Sequence, residues 1–241
     1  LSGSVVALVL TMYFGFDKLK TKKPLGHLIR AFSASGCVVF YIFGINNLML
    51  SENIAIAHSA PIIAAFLAVP ILGERIGILR TSAILIGFIG VIIIVKPGTD
   101  LFKLESLYPL ISACFMASVY LSTRSVMSTD SSVAIIFYYS FALLITTLIF
   151  FPSDFIMPNF IQLIFAMSLG VMGSFGHFFM SQAAKNADVA VTSPFEYTSF
   201  IFVGLMGFLI FAEVPTYSIY LGGLIIISSG IFIAYRERKN N

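Results

Sequence analysis

Apolar residues run along this chain in long unbroken stretches, parted by short polar punctuation. A helix that crosses about 30 Å of hydrocarbon needs about 20 mostly apolar residues. Runs of that kind predict nine segments: a stub at 1–16, then 29–51, 53–73, 77–95, 106–123, 132–152, 159–182, 188–212 and 216–235. The separators Thr21-Lys22-Lys23-Pro24, Lys96-Pro97-Gly98-Thr99-Asp100 and Pro152-Ser153-Asp154 are turn formers, and none is long enough to be a soluble domain. Strands of a membrane barrel alternate polar and apolar residues. These runs do not alternate, and backbone amides in lipid must pair within their own segment. The pattern therefore predicts an all-α, polytopic membrane bundle.

Composition sharpens that reading. Of 241 residues 59% are hydrophobic and 10% charged, whereas a soluble domain carries about 25% charged residues. The net charge of +3 is small, and no basic face interleaved with aromatics points to nucleic acid. Cys37 and Cys114 lie inside apolar runs and read as small buried hydrophobes, not as a disulfide. Leu1 to Phe16 reads as the end of a span whose beginning lies outside this sequence. If residue 17 is cytoplasmic and sides alternate after each span, twelve of the 14 Lys and Arg fall on the cytoplasmic side, leaving Lys96 and Lys103 opposite. By the positive-inside bias, the C-terminal Arg236-Glu237-Arg238-Lys239 is cytoplasmic.

Two segments end alike: Phe66 to Glu74 and Leu205 to Glu213. Sliding the chain by 139 residues pairs Glu74 with Glu213, Asn47 with Asn186, Phe40 with Phe179, Ser35 with Ser174 and Ile62 with Ile201. The spans over 29–95 thus repeat as 159–235, five spans apart. An odd offset turns one copy upside down, a design of secondary carriers with the binding site near the midplane. The expected domains are 1–97 and 104–236. One complete span and part of another are expected ahead of Leu1, making ten in the native protein.

These features resemble the drug/metabolite transporter superfamily, EamA-type branch. The resemblance rests on Ala60-Pro61-Ile62 to Leu72-Gly73-Glu74-Arg75 in the first half, and on Gly87-Phe88-Ile89-Gly90-Val91 after it. In the second half it rests on Ser193-Pro194-Phe195-Glu196-Tyr197 to Phe211-Ala212-Glu213. It implies two inverted repeats of five helices, both termini cytoplasmic, and alternating access by a single chain in the plasma (bacterial inner) membrane. The Pro194-Phe195-Glu196-Tyr197 stretch is similar to carriers of carboxylates, amino acids, amines and S-adenosylmethionine.

An ionisable group at the centre of a span costs at least about 2.5 kcal/mol, so it normally faces a cavity or a partner. Glu196 lies about seven residues into its span, roughly 10 Å deep at the helical rise. It is a candidate to bind a substrate amine or to carry an exchanged proton; the alternative is a structural partner for a hydroxyl or lysine. His58 and Tyr197 both stand 16 residues before a terminal Glu, so they are pseudo-equivalent. His58 is a candidate charge switch or a ring bonded to a neighbouring carbonyl. Pro61 and Pro194, read as mid-helix prolines, free the carbonyls of Ala57 and Ala190 for water, substrate or a side chain, or merely kink the helices. His177 and Gln182 are candidate cavity-wall residues on 159–182. One of Tyr138 and Tyr139 is expected to face the cavity and stack on substrate or a cation. Gly170, Gly173 and Gly176 are expected to allow close helix packing. Asn47 and Asn186 read as helix-end caps.

The expected function is a secondary transporter of a small polar metabolite, such as an amino acid, an amine or an S-adenosylmethionine-like compound. It is expected to work as a monomer, driven by substrate exchange or protons. No catalytic residue, metal or cofactor is assigned, and no phosphate-binding glycine loop with Lys predicts ATP hydrolysis. A channel or non-transporting scaffold is the alternative, and an intramembrane enzyme, which needs clustered ligands or a nucleophile with its base, ranks below both.

Overall fold

The computed structural model describes all residues except 1, 73–77, 97–102, 151–156, 187–196, 213, 215 and 241. The described elements are ten α-helices: α1 (Ser2–Phe14), α2 (Pro24–Asn47), α3 (Leu50–Ala57), α4 (Ala60–Leu72), α5 (Ile78–Val95), α6 (Leu107–Met127), α7 (Ser132–Phe150), α8 (Phe160–Asn186), α9 (Tyr197–Phe211) and α10 (Tyr217–Asn240). Two 3-10 turns, Phe16–Leu19 and Leu104–Ser106, complete the path, and no strand occurs among the described residues. Among the described residues, four segments are long and apolar enough to cross a membrane: Pro24–Asn47, Leu104–Met127, Ser132–Phe150 and Phe160–Ala183.

Local chemistry sets the ends. Pro24 opens α2, where its missing N–H is one the helix cannot use anyway. The N-terminus of α8 carries a reciprocal cap: Gln162 N donates to Asn159 Oδ1 at 2.8 Å, and Asn159 N donates to Gln162 Oε1 at 2.9 Å. At α5 the chain stops on Lys96, which takes a left-handed φ of 51° while its amide reaches back to the Ile92 carbonyl. Asn47 and Asn186 donate to the carbonyls of Phe43 and Gln182, one turn back at their helix ends.

One predicted span is two helices. The 53–73 segment breaks at His58 and Ser59, where both Ile62 N and Ile63 N donate to the Ser59 carbonyl at 3.0 Å. Pro61 therefore sits in the first turn of α4, a position that tolerates it. The mid-helix reading of Pro61, with a carbonyl freed one turn earlier in the same helix, is corrected: the helix it was to interrupt ends at Ala57.

The chain divides into two compact units, each drawing on both sequence halves: residues 1–35 with 122–187, and 36–121 with 188–241. In the second unit α5 packs along α10. A Cβ on Gly90 would meet the Gly222 carbonyl oxygen at 2.7 Å, and one on Gly222 would meet that of Gly90 at 2.5 Å. The backbones touch, and Ile84, Val91, Ile94, Ile219, Ile226 and Ile233 close around the crossing. Lipid tails are as apolar as isoleucine, so the gain here is close packing and not transfer from water. Gly90→Ala is expected to cost about 1–3 kcal/mol through overpacking; a melting temperature equal to wild type in detergent would contradict this. Cys37 and Cys114 are unbridged, but Cys114 is exposed, not buried as its apolar run suggests.

In the first unit α1 packs on α7 and α8. Gly170 is where α8 admits α1, since a Cβ there would lie 2.7 Å from Gly3 N. Among the described residues, Gly173 and Gly176 meet nothing within 4 Å. The packing role expected for all three glycines holds at Gly170 alone.

Candidate functional site

Among the described residues, the first unit holds a buried polar cluster inside its helices. Arg30 lies six residues past Pro24, about 9 Å into α2 at the helical rise. Its side chain is among the most buried in the protein, at 2% exposure. Nε donates to Thr123 Oγ1 at 2.8 Å, and the guanidinium carbon stands 5.5 Å from the centroid of the Tyr139 ring. No carboxylate pairs with Arg30 among the described residues. The other side of this cluster is His177, whose ring centroid is 3.9 Å from that of Tyr139. Its Nδ1 is buried, with no hydrogen-bond partner among the described residues.

Tyr139 and His177 line a cavity of about 320 Å³ walled by α1, α7 and α8. Ser4 Oγ donates to the Ser140 carbonyl at 3.1 Å and Ser174 Oγ to that of Gly170 at 2.8 Å, so these two cavity hydroxyls have spent their hydrogens and can act toward a ligand only as acceptors. Leu143, Leu144 and Leu169 supply the apolar part of the wall. The volume lies at the lower end of small-molecule pockets, about 300–1,000 Å³.

At one end of the same unit a second polar cluster ties two turns together. The Asp130 carboxylate, 1% exposed, accepts His27 Nε2 at 2.9 Å, the Thr129 hydroxyl at 2.8 Å, the Lys22 amide at 3.2 Å, and the Thr21 hydroxyl. Burial pushes this carboxyl up, but the hydrogen bonds outweigh it, led by those from Thr21 and Thr129, and hold it at about 2. Tyr138 belongs here, not to the cavity: its ring lies 4.7 Å from His27, and its hydroxyl donates to the Leu19 carbonyl at 3.1 Å. Because the folded value lies below the ordinary 3.8, the carboxylate adds stability above about pH 4 and loses it as the pH falls toward 2. Melting temperatures are expected to drop across that window in the wild type and to drop less in Asp130→Asn; equal acid profiles would contradict this.

In the second unit His58 stands at the α3–α4 break. Its Nδ1 lies 2.7 Å from the Ile54 carbonyl, which can only accept, so Nδ1 carries a hydrogen. Nε2 is 2.9 Å from the Ser199 hydroxyl on α9. Glu52, unremarked in the sequence, opens α3 and pairs with Lys103 at 3.3 Å.

Of the sequence candidates, Tyr139 and His177 come together. Gln182 is half-buried on α8, and its carbonyl takes the Asn186 amide. Tyr197 is the first residue of α9, and its side chain lies outside the described set, as do Glu196 and Pro194 entirely. Sequence reasoning missed Arg30, His27 and Asp130. The available signal was Pro24: a helix begun there takes in His27 and Arg30.

A profile of the EamA-like transporter family matches residues 1–96 and 104–235. The S-adenosylmethionine uptake transporter of Rickettsia prowazekii (strain Madrid E) is 28% identical over 237 residues, covering 98% of this chain and 81% of that protein. The riboflavin transporter of Vibrio cholerae serotype O1 is 30% identical over 227 residues, covering 93% and 76%. One solved crystal structure aligns with all of this chain and 86% of its own, with a TM-score of 0.68 and 16% identity, a likeness of fold. With apolar helices of spanning length and a family match over nearly all its residues, this chain belongs to the EamA-like transporter family and is a multi-pass membrane transporter of small metabolites.

Proposed function

We propose that the chain is a secondary carrier, not an enzyme, that moves an S-adenosylmethionine-class metabolite across a bacterial inner membrane by alternating access. The observation that carries this reading is the similarity to S-adenosylmethionine uptake transporters over 98% of the chain. The cavity bounded by Tyr139 and His177 is the chamber that receives part of the substrate. Glu196 and His58 are the groups for a substrate amine or an exchanged proton, with Tyr197 beside the acid in sequence. Pro194 frees a carbonyl near that acid, and Gln182 contributes to the wall. The expected domains 1–97 and 104–236 act as inverted repeats in a monomer whose C-terminus is cytoplasmic, as the distribution of Lys and Arg supports.

A thermal-shift screen of the purified chain tests the substrate, because a ligand that binds only the folded state raises its melting temperature. S-adenosylmethionine at 100 times its Kd is expected to add about 2.7 kcal/mol of stability. A shift with riboflavin alone would favour the second reading, which the Vibrio cholerae relative supports. A shift with neither would oppose both.

A further inference from the structure

The Arg30 cluster has features that helix packing does not use. A guanidinium carries five N–H donors, and a cation inside a span is costly unless it is paired. Arg30 spends one donor, on Thr123, and meets the face of Tyr139. It lies wholly within the first unit and is 2% exposed. Among the described residues its charge has no carboxylate counter-ion. Removing a buried cation's partner costs several kcal/mol, so an arginine kept in this state is poised for an anion that arrives.

Arg30 does not itself line the cavity; the Tyr139 ring stands between the two, and its rotation would open the guanidinium to the cavity. Tyr139 shares its ring between the guanidinium and the cavity wall, and next to it His177 offers a buried nitrogen without a partner. A group entering the cavity beside Tyr139 comes within one side chain of Arg30. The planar fork matches a carboxylate with two parallel N–H···O bonds, a fit that a lysine's point charge lacks. Thr123 fixes Nε and so orients the fork.

We propose that Arg30, oriented by Thr123 and screened by Tyr139, is the anchor for a carboxylate on the transported metabolite, with His177 as a second polar contact in the same cavity. The proposal rests on the carrier reading and narrows it. S-adenosylmethionine carries an α-carboxylate and qualifies. Riboflavin has none and does not.

The test is uptake into proteoliposomes of the full chain, comparing S-adenosylmethionine with its decarboxylated form, and riboflavin as a third substrate. Wild type is expected to prefer the carboxylate-bearing ligand by about 10- to 100-fold, the range of a charge-assisted hydrogen-bonded pair. In Arg30→Gln the two forms should be taken up equally. Arg30→Lys keeps the charge without the fork and should retain part of the preference. If Arg30→Gln does not fold, Thr123→Val gives the same readout, because it releases the fork without removing the cation; its preference should fall several-fold. Uptake of S-adenosylmethionine with an unchanged preference in these variants overturns the anchor and leaves the carrier reading standing. So does uptake of riboflavin or the decarboxylated form at the wild-type rate for S-adenosylmethionine. A wild type that takes up none of the three overturns the substrate reading and the anchor together.

Discussion

Asp130→Ala is expected to destabilise the protein by about 3–5 kcal/mol, the sum expected when several buried donors lose a shared charged acceptor. Four donors converge on this carboxylate: the His27 ring, the Thr21 and Thr129 hydroxyls and the Lys22 amide. His27 is the worst placed afterwards, because its Nδ1 already lacks a partner among the described residues. With Nε2 also stranded, the ring would be buried with both nitrogens unsatisfied. Asp130→Asn keeps one acceptor oxygen but replaces the other by a donor that faces donors, so it should recover only part of the loss. For a chain of this length the alanine variant corresponds to a fall in melting temperature on the order of 10 °C. Thr21 and Lys22 lie in the turn before α2, so cleavage by trypsin after Lys22 should accelerate alongside; the bond after Lys23 leads into Pro24 and resists trypsin. A variant that melts within a degree of wild type and resists trypsin equally would show that the cluster contributes nothing.

The second large effect separates stability from transport using two glycines three residues apart on α8. Gly173 lines the cavity, and a Cβ there meets nothing within 4 Å among the described residues. Gly173→Phe therefore starts its side chain in open space toward the cavity and replaces a poor helix former by a better one. A benzyl group takes up a large part of a 320 Å³ cavity. Uptake is expected to fall more than about tenfold, as a blocked pocket loses its substrate contacts, while the melting temperature stays near wild type. Gly170 also borders the cavity but faces α1, where a Cβ would run into Gly3 N at 2.7 Å. Gly170→Val should push α1 off α8, break the Ser2 Oγ bond to the Ala166 carbonyl, and cost about 1–3 kcal/mol. Full uptake by Gly173→Phe would remove this cavity from the transport path.

How much of this was readable from the chain depends on the range of the interaction. Helix positions follow from local apolar length, and the predicted 132–152 and the described Ser132–Phe150 begin on the same residue. The start of α2 was misplaced to residue 29 because hydropathy alone discounts His27 and Arg30, whereas Pro24 marks a first helical turn. That shift turned a buried arginine into an apparent flanking charge. The break at His58 is signalled by Pro61, whose ring would clash with the Ala57 carbonyl if one helix ran through both, but continuous apolarity masked it. The stacking of His177 on Tyr139 joins residues 38 apart on two helices, and the His27–Asp130 bond joins residues 103 apart. No periodicity within one helix encodes such meetings; they depend on how helices rotate against each other. Tyr138 and Tyr139 illustrate the limit: a helix splits adjacent residues by 100°, so one had to leave the cavity, but only packing decides which.

Counterflow in proteoliposomes tests the account most directly. Vesicles holding the purified chain are loaded with unlabelled S-adenosylmethionine and given a trace of labelled compound outside. A carrier that alternates should accumulate label transiently above its outside concentration, saturably, and only when the inside is loaded. Label that merely equilibrates at a rate linear in concentration, with or without internal substrate, would contradict a carrier and indicate a pore.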